Sequence, residues 1–168
     1  EYRQIGHGKQ SVGSTRGESS HQEHPFVGLV EKNATQESGR VYGVHFVYSG
    51  NFIAQVEKNQ HDMLRVVMGI HPDNFCFDVE AGDKFVAPET ILVFSNEGLG
   101  RMTRTYHDLY REHLIRSPYK NQKRPILINN WEATYFDFDS DKLIAIAKEA
   151  KAHGIEMLVM DDGWFGYR

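Results

Sequence analysis

The sequence predicts a partial antiparallel β-sandwich followed by a βαβ unit of the parallel kind. Three observations carry this. Turn signals recur roughly every ten residues from Pro25 to Asn96, between short runs dense in Val, Ile, Phe and Tyr, which is the spacing of a sandwich. A helical period replaces that rhythm over residues 99–114. Residues 126–128 and 157–160 are then short apolar runs without alternation, which suits strands buried on both faces of a parallel sheet.

In chain order, residues 1–24 are polar, rich in Gly, Ser and His, and read as a loop. His7, His21, His24 and the later His45 lack a zinc spacing with cysteine partners, so an ordered loop is expected rather than a metal cluster. Strands are expected at residues 26–30, 41–48, 52–57, 63–70, 75–79 and 89–94. Ser49, Gly50 and Asn51 form so short a connection that the strands on either side read as a hairpin, with Asn51 a turn residue. Cys76 lies between Phe75 and Phe77 and is expected to be a buried thiol.

Gly98-Leu99-Gly100 ends the β pattern but has neither the full dinucleotide fingerprint nor its βαβ setting. Met102, Tyr106, Leu109, Tyr110, His113 and Leu114 fall on one helical face, a stripe expected to pack in a core. Residues 117–124 read as a linker with solvated Lys120, Lys123 and Arg124. After residues 126–128, Asp139, Ser140 and Asp141 offer N-cap oxygens. Leu143, Ile144, Ala147, Ala150 and Lys151 recur at helical spacing, and Gly154 supplies a stop. Strand, helix and strand in this order make one right-handed βαβ unit. The expected division is a β-sandwich portion at 1–97, a linking helix and loop at 98–124, and the parallel unit at 125–168.

Composition narrows the function classes. A net charge of −4 and a pI near 6.1 leave no basic footprint for nucleic acid or an anionic membrane. No apolar run is long enough for a membrane span. No signal peptide is visible, so the expected location is cytoplasmic and the sequon at Asn33-Ala34-Thr35 is read as chance. One cysteine excludes an internal disulfide framework. No phosphate loop or nucleophile elbow occurs, and no cofactor is expected. Both ends look like cuts, so the chain is expected to be an internal piece of a longer protein.

The candidate chemistry lies where the two apolar runs end. Asn129, Asn130, Trp131 and Glu132 follow the first, and Asp161, Asp162, Gly163 and Trp164 follow the second. In parallel α/β folds, sites gather at the carboxyl ends of strands. Two adjacent carboxylates beside an indole suit a sugar: the carboxylates accept from vicinal hydroxyls, and the ring packs on the apolar C–H face. The residues equally allow Asp161 and Asp162 to cap a following helix, with Trp164 in a core.

The runs NNWEATYFDF and LVMDDGWFG resemble the start of the catalytic barrel of the α-galactosidases of glycoside hydrolase family 36. STRGESSHQEHPF and GRVYGVHFVYSGNF resemble the β-domain that precedes it, so nearly the whole chain is covered. The resemblance implies that residues 125–168 are the first two strands of a (β/α)8 TIM barrel. It implies hydrolysis of terminal α-linked galactose from oligosaccharides such as melibiose and raffinose, with retention of configuration.

The family's nucleophile, in a Lys-Trp-Asp motif, and its acid/base lie on later strands, and neither motif occurs in this sequence. No catalytic residue and no metal ligand is therefore assigned. Asp161 and Asp162 match the aspartate pair that binds the galactose hydroxyls around C4 and C6. Trp131 matches an aromatic wall, and Trp164 belongs to the same motif as the aspartates. Glu132 is expected to position Asn130 or the barrel rim. The implied partners are an α-galactoside and further copies of the chain, as a homo-oligomer, tetrameric in the family. Two other readings compete: a non-catalytic carbohydrate-binding β-sandwich module, and a metal-dependent hydrolase using Asp161, Asp162 and His153.

Overall fold

The computed structural model describes residues 2–19 and 21–165. The chain forms two compact units, Glu1–Leu114 and Ile115–Arg168.

The first unit is a partial antiparallel sandwich of two three-stranded sheets. One has the order β1 (Gly8–Ser14), β4 (Phe52–Lys58), β5 (Leu64–Ile70). The other has the order β2 (Phe26–Val30), β3 (Val41–Phe46), β6 (Thr90–Ser95). On β4, Phe52, Ala54 and Val56 alternate inward, and Val44 and Phe46 on β3 are buried as well. Phe46 lines one cavity together with Met68 and Ile70 of the opposite sheet.

Four expectations are corrected here. β3 and β4 are not a hairpin: β3 pairs with β2 and β6, and β4 pairs with β1 and β5. Both strands bury apolar side chains, so each fills the middle of its own sheet and the short connection passes between sheets. Asn51 holds that connection by accepting from the Gly17 N–H at 2.6 Å. Residues 8–14, read as loop, are strand β1. Polar Gln10 and Ser11 hide it, and its ladder to β4, from Gly8 opposite Lys58 to Ser14 opposite Phe52, holds it. Residues 75–79, read as a strand, are irregular, and Cys76 is exposed. Phe75 and Phe77 pack on Phe85 within the same connection, at 6.0 and 4.8 Å between ring centres, and leave the thiol outside.

Helix α1 (Gly98–Leu109) covers the outer face of the second sheet. Its first N–H groups bond to loop carbonyls: Gly98 to Gly39 (3.0 Å), Leu99 to Thr35 (3.0 Å) and Gly100 to Gln36 (2.8 Å). This docking explains the Gly-Leu-Gly run. Gly98 has φ +76°, and a Cβ there would lie 2.5 Å from the Thr35 carbonyl oxygen. Met102 and Tyr106 then join Val41 and Val93 in the core. The Tyr106 hydroxyl donates to the Ile91 carbonyl at 3.1 Å, and burial, with Tyr110 nearby, pushes its pKa up to about 12.

The expected stripe stops early: Tyr110 is half-buried, whereas His113 and Leu114 are exposed. A π-helical turn, Tyr110–Leu114, follows α1 and shifts the phase of the face. At its start the Tyr110 hydroxyl hydrogen-bonds to Nδ1 of half-buried His45, whose ring also stacks on His24.

The second unit is a βαβ unit. β7 (Leu127–Asn129) pairs in parallel with β8 (Met157–Val159), Leu127 opposite Met157 and Asn129 opposite Val159. Between them lie a single turn, α2 (Trp131–Thr134), and α3 (Ser140–Ala152). The Asp139 carboxylate caps α3 by accepting from the Lys142 N–H at 2.8 Å. Leu127 and Met157 are exposed rather than buried on both faces. Among the described residues β7 and β8 pair with each other alone, so no flanking strand covers them.

Candidate functional site

Because β7 and β8 run in parallel, both release the chain at the same edge, and two asparagines tie the releases together. Asn130 is fully buried. Its Oδ1 accepts from the Asp161 N–H at 2.8 Å and its Nδ2 donates to the Thr134 hydroxyl at 2.9 Å. Its own N–H extends the strand pairing to the Val159 carbonyl at 3.3 Å. Each polar atom of this buried amide thus has a partner, as burial demands.

Asn129 works on the surface side. Its Nδ2 donates to Asp161 Oδ2 at 2.6 Å, and its Oδ1 accepts from the Trp131 N–H at 2.7 Å. Asp161 Oδ1 accepts from the Asp162 N–H, and Asp162 Oδ1 from the Gly163 N–H, both at 2.8 Å. The two carboxylates therefore stiffen their own turn, residues 162–165, at the end of β8. Asp161 is half-buried and Asp162 exposed. The edge can present carboxylate oxygens whose directions are fixed by backbone and amide donors.

Trp131 opens α2 beside them. The chain reverses immediately at Tyr135, which has φ 47° and ψ −127°, a conformation that bulky residues rarely adopt. The reversal brings the Tyr135 and Phe136 rings edge-on against the indole, at 5.4 and 4.9 Å between centres. Trp131 is half-buried and held by these two rings. Trp164 is 65% exposed and packs edge-on against Phe165.

The structure thus brings Asp161, Asp162 and Trp131 to one edge and sets Trp164 in the adjoining turn. Glu132 does not reach Asn130, whose amide is taken by Thr134 and Asp161. Glu132 instead accepts from the Tyr135 hydroxyl at 3.4 Å. Asn129 and Asn130 went unassigned in the sequence, although a polar doublet directly after an apolar run marks a strand end whose amides need partners. His153 lies with Glu149 at the end of α3, its Nδ1 donating to the Glu149 carbonyl at 3.0 Å. Among the described residues no group of three or more His, Cys, Asp or Glu is placed to hold a metal ion, and no helix is long and apolar enough to cross a membrane.

Residues 1–80 match the glycosyl hydrolase family 36 N-terminal domain, and residues 84–168 match the melibiase family. Alpha-galactosidase AgaA of Geobacillus stearothermophilus is 52% identical over 168 residues, covering 100% of this chain and 23% of that enzyme. Alpha-galactosidase 1 of Pediococcus pentosaceus is 51% identical, covering 98% of this chain and 22% of the relative. The crystal structure of AgaA superposes with a TM-score of 0.94 over 100% of this chain and 23% of its own. Variants of that Geobacillus enzyme have been crystallised with raffinose and with stachyose. The chain spans about a quarter of the length of the curated relatives it matches. The partial sandwich is followed by the start of a barrel, as in these structures, and the chain belongs to glycoside hydrolase family 36.

Proposed function

We propose that this chain is the segment of a retaining α-galactosidase that supplies sugar-binding residues, while the catalytic carboxylates come from elsewhere in the longer protein. The observation that carries this is the convergence of Asp161, Asp162 and Trp131 on one strand edge. In this reading the aspartates accept hydrogen bonds from galactose hydroxyls around C4 and C6. Trp131 packs on the C–H face of the ring, and Trp164 closes the adjoining side. The raffinose- and stachyose-bound relatives support an α-galactoside as substrate.

A retaining mechanism needs two carboxyl groups about 5 Å apart, a nucleophile and an acid/base. The role of Asp161 and Asp162 is to hold the galactose so that its anomeric carbon faces that pair. Residues 1–97 form the preceding sandwich domain, 98–124 the link, and 125–168 the first barrel strands. The complete enzyme acts in the cytoplasm as a homo-oligomer, a tetramer, and without a cofactor.

The test is a pair of full-length variants, Asp161→Asn and Asp162→Asn, scored for kcat/KM on an α-galactoside and for thermal midpoint. A charge-assisted bond is worth roughly 1.5–3 kcal/mol. Each variant should therefore lose about tenfold to a hundredfold in kcat/KM at a near-normal midpoint. Wild-type kinetics in both variants would make the aspartates structural.

A further inference from the structure

One side chain bonds to two residues of the proposed sugar site. Asn129 bonds the Asp161 carboxylate through its amide nitrogen and the Trp131 backbone through its amide oxygen. Asn129 is itself exposed, at the last position of β7, where its ladder place opposite Val159 asks for no amide. The joining of the two strand ends is already served by the buried Asn130. What Asn129 adds is a donor and an acceptor in rigid relation, each spent on a different recognition group.

We propose that Asn129 is a positioning residue for galactoside recognition, fixing the rotamer of the Asp161 carboxylate and the placement of the Trp131 ring relative to it. The inference rests on the reading of Asp161 and Trp131 as sugar-binding groups. With Oδ2 on Asn129 and Oδ1 on the Asp162 N–H, the Asp161 carboxylate has one orientation before substrate arrives. Its remaining lone pairs then point in set directions, and a hydroxyl pair meets them without a prior search. The neighbouring carboxyls are held in a similar way, Asp162 by the Gly163 N–H and Glu132 by the Tyr135 hydroxyl. The indole begins one residue beyond the Asn129–Asn130 pair, so the same amide sets where α2 starts.

The decisive variant is Asn129→Asp in the full-length enzyme. It keeps an oxygen for the Trp131 N–H, so the turn survives, but it replaces the donor to Asp161 with a second carboxylate. Two carboxylates sharing a site hold a proton more tightly than either would alone, so as the pH is lowered the protonated new group can donate as the amide did. On a nitrophenyl α-galactoside at about pH 7.5, kcat/KM should fall roughly tenfold or more. The ratio of variant to wild type should climb back toward one as the pH is lowered to about 5. Asn129→Ala, which loses both bonds, should be depressed at every pH.

A merely structural role predicts a lowered thermal midpoint and a ratio that does not change with pH, and that result overturns the proposal. Unchanged kcat/KM in Asn129→Asp beside a damaged Asp161→Asn also overturns it, while leaving the sugar-binding reading intact. If Asp161→Asn keeps wild-type kinetics too, both readings fall together.

Discussion

The phenol of Tyr110 and the imidazole of His45 are hydrogen-bonded where the π-helical turn meets β3. His45 is half-buried, stacked on His24 and edge-on to Phe26, Tyr106 and Tyr110. Burial lowers the proton affinity of His45 below its ordinary value of 6.5, and the nearby His24 lowers it further. The folded state thus takes up this proton later than the unfolded chain on acidification. The stabilising contribution is whole above 6.5 and is lost as the pH falls below it. The urea midpoint of the chain should drop from about pH 7.5 to 5.5, and the drop should shrink in His45→Gln. Equal drops in both proteins would assign the pH dependence elsewhere.

Gly43 of β3 should not accept a methyl group. A Cβ there would lie 2.6 Å from Tyr106 Cε2 and 2.9 Å from Met102 Sδ. Gly43→Ala should destabilise the first unit by about 1–3 kcal/mol through overpacking under α1. Gly69 on β5 is the control, because nothing lies within 4 Å of its added Cβ. Chemical denaturation of the two variants side by side separates the contact from any general cost of alanine.

Asp139→Ala should weaken the start of α3 by about 1 kcal/mol, because the Lys142 N–H loses its acceptor. Asp139→Asn should cost much less. Hydrogen exchange at the amides of the first turn reports the difference directly, and equal protection in all three proteins would remove the cap from the account.

The 168-residue chain assayed by itself should leave a chromogenic α-galactoside uncleaved. Two strands do not close a barrel, and the proposed nucleophile and acid lie outside this sequence. Turnover above the buffer blank, surviving further purification, would place the chemistry within these residues.

The sandwich strands with apolar alternation were legible in the sequence, as were the parallel pair and the capped α3. What escaped was decided by partners distant in the chain. β1 has no apolar rhythm, because its identity comes from lying against β4. The passage from β3 to β4 looks like a hairpin locally, and only the two sheets' separate pairings reveal otherwise. Phe75 and Phe77 read as a strand because aromatic content says nothing about which ring they meet, and they meet Phe85. At the candidate site, Asp161, Asp162 and Trp131 stood out by residue type. Asn129 matters through geometry, since only the parallel register sets it beside Asp161.

The interleaving of the two sheets bears on how the chain folds during synthesis. β1 leaves the ribosome before β4, yet its ladder is to β4, with Gly8 opposite Lys58. β2 and β3 can pair as soon as they emerge, whereas β1 must wait for β4 until that whole neighbouring pair has passed. An unpaired strand is a template for aggregation, and a polar, glycine-containing one is a poor template. Gly8, Gln10, Ser11 and Gly13, the residues that hide β1 from a sequence reader, also make it a poor template for other chains until β4 arrives.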